Sequence, residues 1–263
     1  MFRKLASIVF IFTILLLAVS CDIVRDMVVL EGTGTNTMIT EDYIGFDQVE
    51  ASHSFEIEIT QGDEYYVEAR VDEAFLDYIE ITKRGNTLVF NLKDEYSYRF
   101  ANGDLEATII MPQLSLVRLS GASSANVEGF DSNDRFEVEL SGSSTFDGNM
   151  KTGDFTADVS GASDLFGEYS TGDLDLTASG ASEIQMSGAG GSARIDASGS
   201  STVDLENFKS SRADIEASGA SEVAVNASET VDVNASGASK VRQYGEGSLG
   251  NIDTSGASSV DTR

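Results

Sequence analysis

Residues 157–165, which read Ala-Asp-Val-Ser-Gly-Ala-Ser-Asp-Leu, decide the fold because variants of this stretch recur along the second half of the chain. The central motif, Ser-Gly-Ala-Ser or Ser-Gly-Ser-Ser, occurs eight times at intervals of 18 to 21 residues. Its glycines are Gly121, Gly142, Gly161, Gly180, Gly199, Gly219, Gly237 and Gly256. A nearly constant interval of this size is typical of a stacked repeat architecture.

The residues around each glycine predict what is stacked. Apolar residues stand four and two positions before each glycine and four positions after it, with Thr254 as the exception, and the positions between them are mostly polar. Alternation with period two on both sides of a turn predicts two short strands, each with one buried face. Glycine suits the turn because it adopts a positive φ without a Cβ clash. The eight glycines are therefore predicted to be structural turn residues.

Strand-turn-strand repeats can build solenoids, propellers or antiparallel meanders. A propeller blade needs about 40 residues, and a meander does not require equivalent positions to be apolar in every repeat, whereas in-register stacking does. The sequence therefore predicts an all-β protein, a single-stranded β-solenoid (β-helix) of about eight coils of about 19 residues. A second turn must close each coil, and we expect it at residues 152–154, 171–173, 190–192 and 245–247.

Residues 41–112 have the same β character without the repeat. Strands are expected at residues 55–59, 65–71, 87–92 and 107–111, where β-branched and aromatic residues alternate with polar ones. Half of the aromatic residues of the chain lie here, so this segment is expected to cap the solenoid with a thicker end. Pro112, the only proline, marks the boundary with the repeat solenoid of residues 113–263.

The first 20 residues predict export. Arg3 and Lys4 precede an apolar run that ends at the small residue Ser20, which is the order of a secretory signal peptide; a retained helical anchor is the alternative. Cys21, the only cysteine, follows in a context that resembles the lipobox of bacterial lipoproteins. Acylation there would anchor the protein to the membrane, and residues 21–40 would comprise the acylated cysteine and a polar tether.

The charge limits the classes of partner. The chain has 17 basic and 44 acidic residues, a formal net charge of −27. Nucleic acid and anionic lipid surfaces are therefore unsuitable ligands for the body of the protein.

Catalytic and metal-binding chemistry has few candidates. His53, the sole histidine, is interpreted as a half-exposed strand residue rather than a general base. The serines of the repeats sit at turns with no histidine or lysine paired to them, so we interpret them as structural. The position three before each glycine is often acidic, and calcium could bind there through Glu139, Asp158, Asp196 and Glu216. The alternative is a solvated column interrupted by Thr177, and no other metal or cofactor is predicted.

Several of these stretches, in this order, resemble one bacterial family. They are residues 45–49 (Gly-Phe-Asp-Gln-Val), 61–62 (Gln-Gly), 109–114 (Ile-Ile-Met-Pro-Gln-Leu) and 119–123 (Leu-Ser-Gly-Ala-Ser). The chain is similar over about residues 42–260 to the bacterial putative auto-transporter adhesins with a head GIN domain. The resemblance implies a β-helix with tight Gly-Ser turns, frequent lipoprotein signals, a role in adhesion and no catalytic set.

Together these features predict a lipid-anchored cell-envelope protein that acts as a non-catalytic adhesion or interaction module through repeated polar faces. A glycan or protein is the expected ligand, and the outer membrane or cell surface is the expected location rather than the inner membrane. A periplasmic structural or scaffold protein and a pectin-lyase-like polysaccharide-active enzyme are the alternatives. The last repeat has no capping segment in the sequence, so self-association through the C-terminal end is also expected.

Overall fold

The computed structural model describes residues 29–100 and 105–263, and these are almost entirely β-structure. One short 3-10 helix, Glu73–Phe75, lies between the fifth and sixth strands. The strands are β1 (Val29–Glu31), β2 (Asn36–Thr40), β3 (Gln48–Ala51), β4 (Glu56–Gln61), β5 (Tyr66–Asp72), β6 (Ile79–Arg84), β7 (Thr87–Leu92), β8 (Ser97–Arg99), β9 (Leu105–Met111), β10 (Leu116–Leu119), β11 (Ser124–Asp131), β12 (Phe136–Leu140), β13 (Thr145–Lys151), β14 (Phe155–Val159), β15 (Asp164–Ser170), β16 (Leu174–Ala178), β17 (Glu183–Ala189), β18 (Ala193–Ala197), β19 (Thr202–Ala217), β20 (Glu222–Ala235), β21 (Lys240–Gln243), β22 (Ser248–Thr254) and β23 (Ser259–Thr262).

The eight repeats stack as parallel coils, which confirms the predicted β-solenoid. The strands before the glycine turns form one face, in the order β10, β12, β14, β16, β18, the second halves of β19 and β20, and β22. The strands after the turns form the other face, in the order β11, β13, β15, β17, the first halves of β19 and β20, β21 and β23. We call these the first face and the second face.

The interior between the two faces holds the core. The three apolar columns predicted from the sequence point inward and are buried in the first seven coils. In the eighth coil Ile252 is 39% exposed, because no further coil stacks on it in the described chain. The largest buried side chains include Phe136, Phe155 and Tyr169. The ring centroid of Phe155 lies 5.7 Å from that of Phe136 and 5.1 Å from that of Tyr169. In-register stacking therefore explains why equivalent positions are apolar.

The second turn of each coil takes two forms. The predicted turns at residues 152–154, 171–173, 190–192 and 245–247 all lie between strands. In two other coils the chain bends without leaving β conformation, so β19 and β20 run for 16 and 14 residues through both faces. Register shifts mark the bends in both strands, which is how a β-bulge lets a strand change direction.

One further coil, formed by β3 and β4, lies on the N-terminal side of the eight and lacks the repeat motif; we call it the ninth coil. Strand β3 pairs in parallel with β10, and β4 with β11. This register places His53 where the next coil has Gly121, and their φ angles are 60° and 62°. The interpretation of His53 as a strand residue is therefore wrong, because it occupies the tight turn in a left-handed conformation.

The N-terminal end of the rod changes to antiparallel pairing on both faces. On the second face β9 still lies parallel to β4, and the change follows it: β5 lies antiparallel to β9, and β2 lies antiparallel to β5. On the first face β7 pairs with β3, and β6 forms an antiparallel hairpin with β7. The expected strands at residues 55–59, 65–71, 87–92 and 107–111 correspond to β4, β5, β7 and β9. Strand β2 belongs to the segment interpreted as a tether, so residues 36–40 form part of the sheet.

A buried carboxylate fixes the chain before β2. Asp72 is fully buried and accepts hydrogen bonds from the hydroxyl of Thr33 (3.0 Å) and from the backbone N–H groups of Gly34 (2.6 Å) and Ala74 (2.8 Å). Burial alone would raise the pKa of Asp72, but these donors outweigh it and hold the pKa below its usual value. The ionised carboxylate therefore ties residues 33–34 to the body of the rod.

Candidate interaction surfaces

The glycine turns place the polar side chains, because they hold successive coils in register. Gly161 has a φ of 77°, and a Cβ there would lie 2.5 Å from the carbonyl oxygen of Gly142 in the coil before it. The N–H of Ala162 donates to that same oxygen at 2.8 Å. Side-chain atoms at this position would strain the backbone and separate the coils, so the predicted structural role of these glycines follows from both φ and space.

The last serine of each motif points inward and is buried in the first seven coils. Ser201 donates to the carbonyl oxygens of Ser198 (2.9 Å) in its own turn and Ala178 (3.2 Å) in the preceding coil. Ser239 repeats the pattern with Ser236 (2.9 Å) and Ala217 (3.3 Å). These hydroxyls connect neighbouring coils, so they support the turns rather than serving as exposed nucleophiles.

The four candidate calcium ligands lie on the outer surface of the first face, in one column. Glu139 is in register with Asp158, and Asp196 with Glu216, but Thr177 separates the two pairs. Carboxylates on adjacent strands, roughly 5 Å apart, repel by about 1 kcal/mol even in water. Within residues 29–100 and 105–263 no group of three or more His, Cys, Asp or Glu side chains could hold a metal ion.

Arg118 balances the N-terminal part of this column. Its guanidinium donates two hydrogen bonds to Glu139 (2.6 and 2.8 Å) and one to Glu50 in the ninth coil (3.2 Å). These bonds from Arg118 hold the pKa of Glu139 below its usual range, although partial burial opposes them. Glu139 thus forms an ion pair, whereas Asp158, Asp196 and Glu216 have no ion pair within residues 29–100 and 105–263.

A groove of about 510 Å³ runs along the first face beside the second turns and brings arginines and carboxylates together. Asp175, Arg194 and Asp214 follow one another in register on three coils of its floor. Arg135 donates to the Thr156 hydroxyl at 3.0 Å, whereas the exposed Arg194 side chain has no hydrogen bond or ion pair within the described chain. Arg135 and Arg212 stand seven residues before their repeat glycines, whereas Arg194 stands five residues before its own. The fold brings both positions to one groove.

Carboxylates at the edge of the groove are held in place by hydrogen bonds to the backbone of the following coil. Asp154 accepts from the N–H of Asp173 (3.0 Å), and Asp173 accepts in turn from the N–H of Ser192 (2.7 Å). Polar side chains held by such a ladder are displayed at fixed spacing, which favours recognition of an extended, repetitive partner.

The sole histidine lies between a hydroxyl and a carboxylate. The Nδ1 atom of His53 is 2.9 Å from Ser52 Oγ, and Nε2 is 3.6 Å from an Asp94 oxygen. Ser52 donates to Asn91 Oδ1 at 2.6 Å, so its proton is directed away from the imidazole and the serine is not activated by it. The Asp94 side chain is 85% exposed, so solvent weakens its hold on the ring.

Cys21 and the predicted signal peptide, residues 1–20, lie outside the described residues. Across residues 29–100 and 105–263, the structure has no helix with the length and apolar character needed to span a membrane.

The sequence matches a protein family over residues 45–247, which include the ninth coil and seven of the eight glycine turns. That family is described as "Putative auto-transporter adhesin, head GIN domain". The chain belongs to this family. The resemblance noted from residues 45–49 and from the glycine turns is thereby confirmed, and an envelope-associated or extracellular setting follows from the family's description.

Solved structures share the family's fold at low sequence identity. A putative lipid binding protein from Parabacteroides distasonis has a TM-score of 0.81 at 18% identity, over 89% of this chain and 99% of its own. A putative adhesin from Parabacteroides merdae has a TM-score of 0.80 at 14% identity, over 89% and 99%. A putative adhesin from P. distasonis has a TM-score of 0.77 at 15% identity, over 89% and 100%. None of the curated protein sequences matches the chain.

These proteins are described as adhesins or as a lipid-binding protein, not as enzymes. At identities below 20% the structural likeness establishes the fold and carries no ligand from one chain to another.

Proposed function

We propose that the protein is a cell-envelope lipoprotein that acts as a non-catalytic adhesion module, attached to the membrane through Cys21 and binding its partner through the first face of the rod. The observation that carries the proposal is the groove on this face, where charged side chains of successive coils stand in register within a family of adhesins. Regularly spaced polar groups on a stiff rod suit many weak, repeated contacts with a glycan or an extended protein.

The location is tested on intact cells with a tag after Arg263. Protease added outside the cell should remove the tag, and replacing Cys21 with alanine should release the protein from the membrane fraction. Retention of the tag until the envelope is opened would replace adhesion with a periplasmic structural or scaffold role.

The contribution of the first face is tested by paired substitutions. Asp175→Ala with Arg194→Ala removes neighbouring groups from the groove, whereas Asp164→Ala with Glu183→Ala removes an in-register outward pair from the second face. Adhesion of cells to a glycan-coated or host-cell surface should fall for the groove pair and stay unchanged for the control pair. Equal adhesion of both variants would contradict a role for the first face.

An enzyme of the pectin-lyase-like type is the second candidate, favoured by the acids and arginines that meet in the groove. Incubation with polygalacturonate should release no new reducing ends if the protein is an adhesion module. Release that disappears in the Asp175→Ala/Arg194→Ala variant would establish the enzyme instead.

Self-association through the coil of β22 and β23 is part of the proposal. Leu249 and Ile252 are 40% and 39% exposed there, and no coil stacks on these strands in the described chain. Unpaired backbone groups and exposed apolar side chains together favour pairing with a second copy. Light scattering at tens of micromolar should show a dimer that Leu249→Lys converts to a monomer; a wild-type monomer would contradict this part.

A further inference from the structure

Three tyrosine rings form a cluster at the N-terminal end of the rod, beside the turn that holds His53. The ring centroids of Tyr78 and Tyr96 are 4.7 Å apart, and that of Tyr98 lies 6.3 Å from Tyr78 and 6.5 Å from Tyr96. All three rings are partly exposed. We call Tyr78, Tyr96 and Tyr98 the tyrosine cluster.

The members of the cluster differ in what fixes them. Tyr98 packs against the core, stacks edge-on against Phe75 with centroids 5.8 Å apart, and donates its hydroxyl to the Lys93 carbonyl at 2.7 Å. Tyr96 does not pack against the hydrophobic core, and its ring contacts are those with Tyr78 and Tyr98. Within the described residues the hydroxyls of Tyr78 and Tyr96 have no hydrogen-bond partner. Tyr96 is therefore a ring that contributes little to the core and presents part of its surface to solvent.

Polar groups of several kinds surround the cluster. Lys93 Nζ lies 5.9 Å from the centre of the Tyr78 ring, and the His53 ring lies edge-on to Tyr98 at 5.9 Å. The Asp94 carboxylate, 3.6 Å from the imidazole, is almost fully exposed. The tyrosine cluster is thus bordered by the Lys93 ammonium beside Tyr78, which also donates to the Asp77 carbonyl (2.7 Å), and by the imidazole of His53 with its neighbour Asp94 beside Tyr98.

The backbone beside the cluster is strained. His53 and Ser54 have φ angles of 60° and 64°, at positions where the next coil has glycine and alanine. A left-handed conformation costs a residue with a side chain about 1–2 kcal/mol, and such strain persists chiefly where the surroundings enforce it, often at binding sites. A glycine would remove this strain at the first position but would also remove the imidazole from the cluster.

The ligand chemistry follows from these groups taken together. An anionic ligand is disfavoured by the net charge of −27 and by the exposed Asp94. The net charge would attract a cation, but at the tyrosine cluster the Lys93 ammonium already lies over the Tyr78 ring and would repel it. A neutral sugar ring has an apolar face that can stack on an aromatic ring and hydroxyls that both donate and accept.

We propose that the tyrosine cluster, with His53, Lys93 and Asp94, binds a neutral saccharide, and that Tyr96 provides the stacking surface. The site lies at the opposite end of the rod from β22 and β23, apart from the groove of the first face. It rests on the proposed adhesion function and gives that function a ligand class and a second contact point.

The test measures saccharide binding to the purified full chain by titration calorimetry, which does not depend on where the protein lies in the cell. The probes are maltohexaose, cellohexaose and mannohexaose, with a galacturonate hexamer as the anionic comparison. We expect at least one neutral hexamer to bind, and Tyr96→Ala to weaken its binding about tenfold. The matched control is Tyr66→Ala, because Tyr66 is 39% exposed on β5 and bonds to Glu68 away from the cluster.

A second variant keeps the test decisive if removal of the ring disturbs folding. Asp94→Asn leaves the tyrosine rings in place and should weaken binding by removing a charged acceptor. Binding that is unchanged in both Tyr96→Ala and Asp94→Asn would overturn the inference while leaving adhesion through the first face intact. Absence of binding to every neutral hexamer, or a preference for the galacturonate hexamer, would also overturn it; adhesion by cells would then still be judged from the groove variants.

Discussion

The contact between stacked glycine turns yields a prediction with a built-in comparison. Gly180 has a φ of 77°, and a Cβ there would lie 2.5 Å from the carbonyl oxygen of Gly161. Gly85, in the hairpin of β6 and β7, has a φ of 65° and open space around its Cβ position. Replacing each glycine with alanine separates the cost of the backbone conformation from the cost of the coil contact.

Gly85→Ala should lower the free energy of unfolding by about 1–2 kcal/mol, which is the cost of a left-handed alanine. Gly180→Ala adds displacement of the neighbouring coils, whose bonds from Ala181 N–H to Gly161 O and from Ser200 N–H to Gly180 O measure 2.8 and 2.7 Å. Loss of these two bonds at about 1 kcal/mol each, added to the cost of the left-handed alanine, gives a total of roughly 3–4 kcal/mol.

Hydrogen exchange measured amide by amide is the suitable assay, because stacked coils open locally as well as globally. The extra loss in Gly180→Ala should concentrate in β16, β18 and the turns beside them, with urea unfolding as the global check. Equal losses in the two variants would refute the conclusion that the stacked carbonyl, rather than φ alone, requires glycine.

Three further changes test the interior and the N-terminal end. Ile195→Asp places a charge at a position 1% exposed and should destabilise by about 4 kcal/mol or more. Thr177→Asp on the outer surface adds repulsion from Asp158 and Asp196 and should cost about 2 kcal/mol or less; similar melting curves would contradict the register. Ser201→Ala removes a buried hydroxyl and should cost about 1 kcal/mol, while the exposed Ser200→Ala should change the urea midpoint little. The pKa of Asp72 is lowered in the folded state, so the carboxylate stabilises the fold fully above its unfolded pKa of 3.8, and this stabilisation is lost as the pH falls below that value. Asp72→Asn should therefore make stability depend less on pH in this range. An unchanged acid unfolding transition would contradict a stabilising role for the Asp72 carboxylate.

The repeat solenoid could be predicted because stacking of the coils restricts which residue types occur at equivalent positions of the repeats. In-register parallel coils require the same residue class at the same place in every repeat, so Val138, Ala157, Leu176 and Ile195 form one inward column. The recurring glycines are a second, independent signal, because the positive φ of each turn favours glycine. These two constraints act locally and therefore remain visible in a single sequence.

The ninth coil escaped prediction because its turn lacks glycine. His53 and Ser54 adopt the left-handed conformation that Gly121 and Ala122 adopt in the next coil, and the pairing of β3 and β4 with the repeats enforces it. The alternation in β4 was a correct signal for a strand but gave no indication of its partner. Strands β2 and β6 were missed for a related reason, since edge strands that pair antiparallel need no repeated pattern.

The candidate sites depended still more on the fold. Arg135 and Arg212 share one offset from their repeat glycines and Arg194 has another, and the fold shows that both positions line the same groove. The tyrosine cluster left one signal in the sequence, the concentration of aromatics in residues 41–112. That signal indicated a thick cap and could not separate rings that fill the core from Tyr96.

The hydrogen bonds of the glycine turns also give the rod a direction of assembly. At the six turns from Gly161 onward, the N–H groups of the first serine and of the residue after glycine both donate to the preceding coil, as those of Ser179 and Ala181 do to Val159 and Gly161. A turn can therefore complete these bonds before any later part of the chain exists. When an exported chain emerges from the membrane N-terminus first, each new coil can pair with the coil before it as soon as it emerges. Growth by addition to a finished edge lets a long β-structure avoid the slow search for distant partners that limits the folding of most parallel sheets.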